Sequence, residues 1–306
     1  MENHLNQNKI LLTGASGFIG GHIVEHLLRQ GFAVRCLVRR QVQLPAPPNT
    51  QDLLETAVGD ITEPSSLTEA LSGVHTVVHL VGIIRETPRA TFQRIHVEGT
   101  GNLLAAATRA GVKRFFYMSG LGARPKARSR YHQTKWEAEE LVRASGLQYV
   151  IFRPSVVFGP RGDFVNTLVD LVTRGPIIPI VGNGRTPMQP VWIGDLVQAV
   201  EKTLTSPELW NQTWEIGGPN QLSFEEMIDT VAEVLGIRKP KLHIPIPVMR
   251  PAALMLQFLT PNPPITLDQL IMLQEPNICD PQTLPEKFGI DPVGFRDGLL
   301  RYLRRD

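Results

Sequence analysis

A chain of 306 residues, 42% hydrophobic and 20% charged, is long enough to bury one large core or two moderate ones and has an ordinary globular composition. Its 31 basic residues nearly balance its 29 acidic ones, so the net charge of +2 gives no whole-molecule attraction for nucleic acid. Two cysteines, Cys36 and Cys279, have no metal-ligand spacing, which argues against a disulfide framework or zinc cluster and for a reducing compartment. The polar start MENHLNQNK lacks the apolar stretch of a secretory leader, and no apolar run approaches the roughly 20 residues that span a bilayer. The expectation is a soluble, cytoplasmic protein that meets a membrane only from its periphery.

In chain order, KILLTG (9–14) predicts a strand and GFIGGHIVEHLLRQG (17–31) a helix ending at Gly31. AVRCLVRR (33–40) is a second strand, and LETAVGDIT (54–62), VHTVVHLVG (74–82), KRFFYMSG (113–120) and QYVIFRPS (148–155) continue the series. Between them, PSSLTEALSG (64–73), HVEGTGNLLAAATRAG (96–111) and SRYHQTKWEAEELVRASG (129–146) read as helices. Nearly continuous β-rich runs alternating with amphipathic helices imply a parallel sheet covered on both faces, and right-handed crossovers make it doubly wound. The fold class is α/β, a Rossmann-type doubly wound parallel sheet with a smaller C-terminal lid or substrate domain. From about Pro160 prolines become frequent, while QPVWIGDLVQAV (189–200) and TWEIGG (213–218) look like units returning to the sheet. The apolar, proline-bounded PIPVMRPAALMLQFLTPNPP (245–264) predicts a short helix on the lid core, or else a docking surface for lipid or a protein partner.

The run Leu11-Leu12-Thr13-Gly14-Ala15-Ser16-Gly17-Phe18-Ile19-Gly20 joins the first strand to the first helix with GxxGxxG spacing. A diphosphate needs backbone N–H groups aimed at it from a helix N-terminus, with no Cβ in the way. Gly14 permits the tight turn, Gly17 lets the main chain approach phosphates, and Gly20 lets the helix pack closely on the sheet. Strand before and helix after supply the context of a nicotinamide dinucleotide site, with Thr13, Gly14, Ser16, Gly17, Phe18, Ile19 and Gly20 as its candidate residues. The second strand ends in Arg39 and Arg40, where an acid would favour NAD. Two guanidiniums can hold a ribose 2′-phosphate and stack on adenine, so NADP is the predicted cofactor and NAD the alternative; the bland reading is a solvated strand end. Asp60 and Ile61 follow the third strand, and Leu80, Val81 and Gly82 the fourth, at carboxyl ends where ligands sit in this architecture. Asp60 is placed for the adenine amino group and Gly82 for close passage of the cofactor, unless each is a plain strand-end turn. Residues 1–160 plus about 190–220 are then the dinucleotide-binding domain, and about 161–189 and 221–306 the smaller substrate or lid domain.

TGASGFIG, GDIT, HVEGTGNLL, YHQTK, FRPSVVFGP, PVWIGDLVQAV and WEIGGP, in this order, resemble the extended and atypical short-chain dehydrogenase/reductase superfamily along nearly the whole chain. Within it, SRYHQTKWEAEE, RPSVVFGPRGDFVNTL and GPIIPIVGNGRTPMQPVWIGD resemble the atypical branch containing the nucleotide-binding accessory subunit of respiratory complex I, alpha-subcomplex subunit nine. The resemblance implies that Tyr131 and Lys135 are the Tyr-x-x-x-Lys pair, one helical turn apart on one face. Lys135 would favour the Tyr131 phenolate and bond the nicotinamide ribose, and Tyr131 would protonate a carbonyl as hydride arrives. Ser119 matches the serine that orients the carbonyl, and Pro154 and Val156 of FRPSVVFGP fall among the cofactor-contacting positions.

Three departures bear on turnover. Only about a dozen residues separate Ser119 from Tyr131, roughly half the usual number, and the stretch is basic, with Arg124, Lys126, Arg128 and Arg130. His96 stands where the extended pattern has Asn. Two functions are therefore implied: an NADP-preferring oxidoreductase on an unknown small or lipophilic substrate, or a non-catalytic accessory or assembly protein of a membrane redox complex, stabilised by its nucleotide. His22-Ile23-Val24-Glu25-His26 satisfies a zinc-peptidase string but lies on the helix launched by the phosphate turn, so no metal is predicted. His75 and His79 flank a buried strand and read as packed or hydrogen-bonded, and Arg301, Arg304 and Arg305 as a solvated helix end.

Overall fold

A computed structural model describes residues 8–259 and 265–303, apart from the side chains of 256–259. The polar start (1–7), residues 260–264 of the proline-bounded stretch, and Arg304 and Arg305 lie outside the described residues. The chain divides into two compact units, Met1–Arg153 with Val197–Trp214, and Pro154–Leu196 with Glu215–Asp306.

The strands are β1 (Ile10–Thr13), β2 (Val34–Val38), β3 (Leu54–Val58), β4 (Thr76–His79), β5 (Arg114–Met118) and β6 (Gln148–Pro154). They lie in the order β3-β2-β1-β4-β5-β6, with all five pairings parallel, and Gln212–Ile216 adds a seventh strand beyond β6. Because β1 and β4 are buried along their whole length and β5 along nearly all of it, their sequences run apolar without alternation. The helices are α1 (Phe18–Arg29), α2 (Gly99–Arg109) and α3 (Arg130–Arg143). Leu103 and Ala107 of α2 and Ala138 and Val142 of α3 pack with Val77, Phe115 and Ile151 of the strands into one core. Each such buried Leu, Val, Ile or Phe is worth about 1.5–3 kcal/mol.

Two predicted helices come out differently. PSSLTEALSG forms only a 3-10 turn, Pro64–Leu67, followed by further turns. The Ser66 hydroxyl donates to the Asp60 and Glu63 carbonyls and receives the Asp60 N–H, a local alternative to helix bonding. Ahead of α2, a π-helical turn, Gln93–Glu98, carries His96 into the interior.

The second unit has its own core, in which Val165 and Leu168 of α4 (Asp163–Thr173) meet Phe158, Ile180, Phe295 and Leu299. Asp195, in the first turn of α5 (Ile193–Thr205), is buried and accepts the Val293 N–H at 2.8 Å, and burial pushes its carboxyl up to about 6. Met227, Ile228 and Val231 of α6 (Phe224–Val234) join the core, below a Ser223–Glu226 capping box. The strand Lys241–Ile244 pairs in parallel with Ile178–Val181 and leads into α7 (Ile246–Leu259). On α7, Ala253 is fully buried, but Val248, Leu254 and Met255 stand open, so the predicted helix forms without covering its apolar surface. No helix of the described residues is long and apolar enough to cross a membrane.

Candidate functional site

The turn after β1 follows from its glycines. Gly14 has φ +83°, and a Cβ there would lie 3.3 Å from the Leu80 carbonyl carbon and the Val81 nitrogen. A Cβ at Gly20 would lie 2.1 Å from the Gly14 carbonyl oxygen, so α1 reaches the turn only because residue 20 has none. α1 opens at exposed Gly17 with no side-chain cap and no acid in its first turn. Its first N–H groups and positive dipole end thus keep room for an anion. Ser16 is exposed beside it, Phe18 and Ile19 are partly covered, and Thr13 is buried with Oγ1 2.7 Å from His79 Nδ1. These features fit a diphosphate cradle, and Thr13 lies behind the turn, bonded to His79 and the Leu80 N–H.

Arg39 and Arg40 follow β2, both exposed and without a hydrogen-bond or ion-pair partner among the described residues. Asp60 turns one carboxylate oxygen back to the Thr62 N–H and hydroxyl at 2.8 and 2.9 Å. The Ile61 side chain is buried against Gly99, and its carbonyl receives the Asn102 amide. Leu80 and Val81 are half-buried and Gly82 is exposed. Pro154 and Val156 belong to the second unit, Pro154 buried at the end of β6 and Val156 against that unit's core.

Ser129 caps α3, accepting the His132 N–H at 3.1 Å, and the helix presents Tyr131 and Lys135 one turn apart. Lys135 is 3% exposed; its Nζ donates to the Met118 carbonyl at 2.9 Å and lies 5.0 Å over the Tyr117 ring. A Cβ at Gly82 would come 3.0 Å from that nitrogen, so the exposed Gly82 backbone leads straight to the ammonium. Burial pulls Lys135 down to about 8, against the opposing charge of Glu139. Burial also pushes the Tyr131 hydroxyl up to about 12.

Ser119 is held by a neighbour on α3. Its hydroxyl donates at 2.6 Å to Glu139, a fully buried carboxylate also held by Arg143 at 2.8 Å and Arg153 at 2.7 Å. The position that faces the Tyr131 hydroxyl is Gly120, where a Cβ would lie 3.0 Å from Oη. Hydroxyl and phenol are thus one residue out of register, because Glu139, a buried anion needing donors, draws the serine to itself.

Sequence reasoning missed Glu139 and the use made of His96. An acid one turn beyond Lys135, in KWEAEE, was the only signal for the first. The His96 Nε2 accepts the Ile83 N–H at 3.1 Å, which puts the ring proton on Nδ1, 3.0 Å from the Thr134 hydroxyl. The ring stacks on Phe92 and meets Tyr131 edge-on at 5.5 Å, so it ties the loop after β4 to α3. Burial, then the Lys135 charge, holds His96 down at about 2, and His79, between Thr13 and Thr100, at about 3. His26 pairs with Glu201 at 2.7 Å, and no group of three or more His, Cys, Asp or Glu among the described residues is arranged to hold a metal.

The family model described as NAD dependent epimerase/dehydratase matches residues 10–217. A ceramide reductase of Caulobacter vibrioides is 34% identical over 173 residues, 56% of this chain and 53% of that protein, so this chain spans about half the length of that relative. The mitochondrial NADH-ubiquinone oxidoreductase 40 kDa subunit of Neurospora crassa is 25% identical over 295 residues, 95% of this chain and 77% of that protein. Among solved structures, MoeE5 in complex with UDP-glucuronic acid and NAD superposes with TM-score 0.75 at 24% identity, covering 95% of this chain and 96% of that one, a likeness of fold.

Proposed function

The chain belongs to the NAD dependent epimerase/dehydratase family, within the extended short-chain dehydrogenase/reductases, and from that premise we propose that it is a cytoplasmic NADP(H)-preferring oxidoreductase acting on a small or lipophilic carbonyl or alcohol. The observation that carries the reading is the meeting of three features at the carboxyl edge of β1, β4 and β5. They are the uncapped start of α1, the Lys135 ammonium behind exposed Gly82, and the Tyr131 phenol beside Gly120. The dinucleotide, when bound, supplies or accepts the hydride. Tyr131 gives its proton to the substrate oxygen in reduction and recovers it in oxidation, and Lys135 lowers the cost of the phenolate left behind. Arg39 and Arg40, exposed and unengaged among the described residues, support NADP over NAD, which stays the alternative. The likeness to a ceramide reductase supports a lipophilic substrate.

A second reading is a non-catalytic accessory or assembly protein of a membrane redox complex. It is favoured by the engagement of the Ser119 hydroxyl with Glu139 and by the likeness to a 40 kDa subunit over nearly the whole chain. The Tyr131→Phe variant separates them. Under the first reading NADPH consumption with an accepted carbonyl falls by about 10²–10⁴-fold while NADPH affinity holds. No consumption by the wild type with ketones, aldehydes or quinones, together with tight nucleotide binding, selects the second.

A further inference from the structure

A surface helix ordinarily turns its apolar stripe inward, and α7 does not. Pro247, Val248, Pro251, Leu254 and Met255 are all exposed, Val248 and Met255 at 59%, while Ala253 is fully buried. At about 100° per residue the five exposed positions fall within one arc of about 120°, with exposed Arg250 at its border. The strand before it adds Leu242, 55% exposed.

The segment that carries this arc brings charge of one sign. No Asp or Glu occurs between Glu233 and Asp268, whereas Arg238, Lys239, Lys241, His243 and Arg250 do. Lys241 and His243 are answered from α6, by Glu225 at 2.6 and 3.0 Å and, for Lys241, by Asp229 at 2.9 Å. Lys239 donates to the Val172 and Thr173 carbonyls. Arg238 and Arg250 are exposed with no partner among the described residues.

An apolar arc bordered by an unanswered cation, in a segment free of acids, matches a surface that is anionic outside and hydrocarbon just beneath. We propose that α7 is an interfacial docking helix that seats on an anionic phospholipid bilayer, with Val248, Pro251, Leu254 and Met255 in the headgroup–acyl boundary and Arg238 and Arg250 at lipid phosphates. Helix length agrees with lying in that plane. Ile246–Leu259 spans about 21 Å at 1.5 Å per residue, short of the roughly 30 Å hydrocarbon thickness. A symmetric contact between two copies would instead bring the Arg250 guanidiniums of both copies to one interface, like charge on like. This inference rests on neither reading of the nucleotide site.

Cosedimentation of the full chain with vesicles of phosphatidylcholine alone, and of phosphatidylcholine mixed equally with phosphatidylglycerol, tests it. The wild type should pellet with the anionic vesicles and be released by salt. Val248→Asp with Met255→Asp should lower partitioning on the order of a hundredfold. Arg238→Gln and Arg250→Gln should each lower it about fivefold. NADPH titration of every variant serves as the fold control; a flat titration with intact vesicle binding sinks the nucleotide reading and leaves this one standing. Failure to pellet, equal pelleting with neutral vesicles, or pelleting unmoved by the aspartates overturns the proposal. So does a dimer in light scattering that the aspartates dissociate while no vesicle is bound, which assigns the face to a second copy.

Discussion

Separate alanine substitutions at Gly17 and Gly20 distinguish the room a ligand needs from the room the fold needs. At position 20 the new Cβ would stand 2.1 Å from the Gly14 carbonyl oxygen and 2.8 Å from its carbon, against an optimum of about 3.5 Å for carbon atoms. Both obstacles are backbone, so no rotamer relieves them and α1 must retreat by roughly 1 Å. The gain in helix propensity from Gly to Ala is about 1 kcal/mol, below the cost of a backbone clash at the upper end of overpacking, about 3 kcal/mol. Gly20→Ala should therefore lower Tm by several degrees, at about 2–4 °C per kcal/mol. At position 17 φ is −81°, ordinary for alanine, and the Cβ would sit 3.3 Å from the same oxygen. The stability change there should stay within about 1 kcal/mol. That Cβ nevertheless stands in front of an uncapped helix start, so NADPH affinity should drop on the order of tenfold or more. Circular dichroism melts without ligand, run beside NADPH fluorescence titrations, read both quantities. Gly17→Ala binding NADPH as tightly as wild type would refute the diphosphate assignment, and an unchanged melt for Gly20→Ala would refute the packing argument.

Arg39→Ala should weaken NADPH on the order of tenfold while leaving NADH nearly unchanged; equal losses in parallel titrations would remove the guanidinium from the 2′-phosphate. His79 and His96, held down at about 3 and about 2, stay neutral in the fold, whereas unfolded rings take up protons below about pH 6.5. Stability is full above that value and declines as pH falls toward the folded values, so the urea midpoint should drop between about pH 6.5 and 5. His96→Asn should flatten the slope, and a midpoint constant over that range would contradict neutral buried rings.

What the sequence disclosed tracks what is local. Strand runs and glycine spacing each lie within a few residues, so periodicity and steric need were enough to read them, whereas the Tyr131–Lys135 pair was read from the family resemblance. The run Pro64–Gly73 failed because Ser66, polar and helix-like in pattern, spends its hydroxyl on the chain behind it. The partner of Ser119 was hidden for a tertiary reason: Glu139 lies twenty positions away in the chain and meets its hydroxyl only once α3 is laid against β5. His96 was visible as a departure, yet its tautomer depends on the Ile83 N–H and could be known only from geometry. The outward apolar arc of α7 was legible as composition, but only accessibility tells which side of a helix goes uncovered.

The sheet also constrains how this protein can be shortened. Its outermost strand, Gln212–Ile216, is contributed by residues well downstream of the strand it borders, with Asn211 N–H on the Tyr149 carbonyl and Ser155 N–H on that of Ile216. A fragment ending near the close of β6, however complete its glycine turn and α3, would leave a raw ribbon edge of unspent amides. Such an edge recruits any neighbouring chain, so the fragment should precipitate where the intact protein does not.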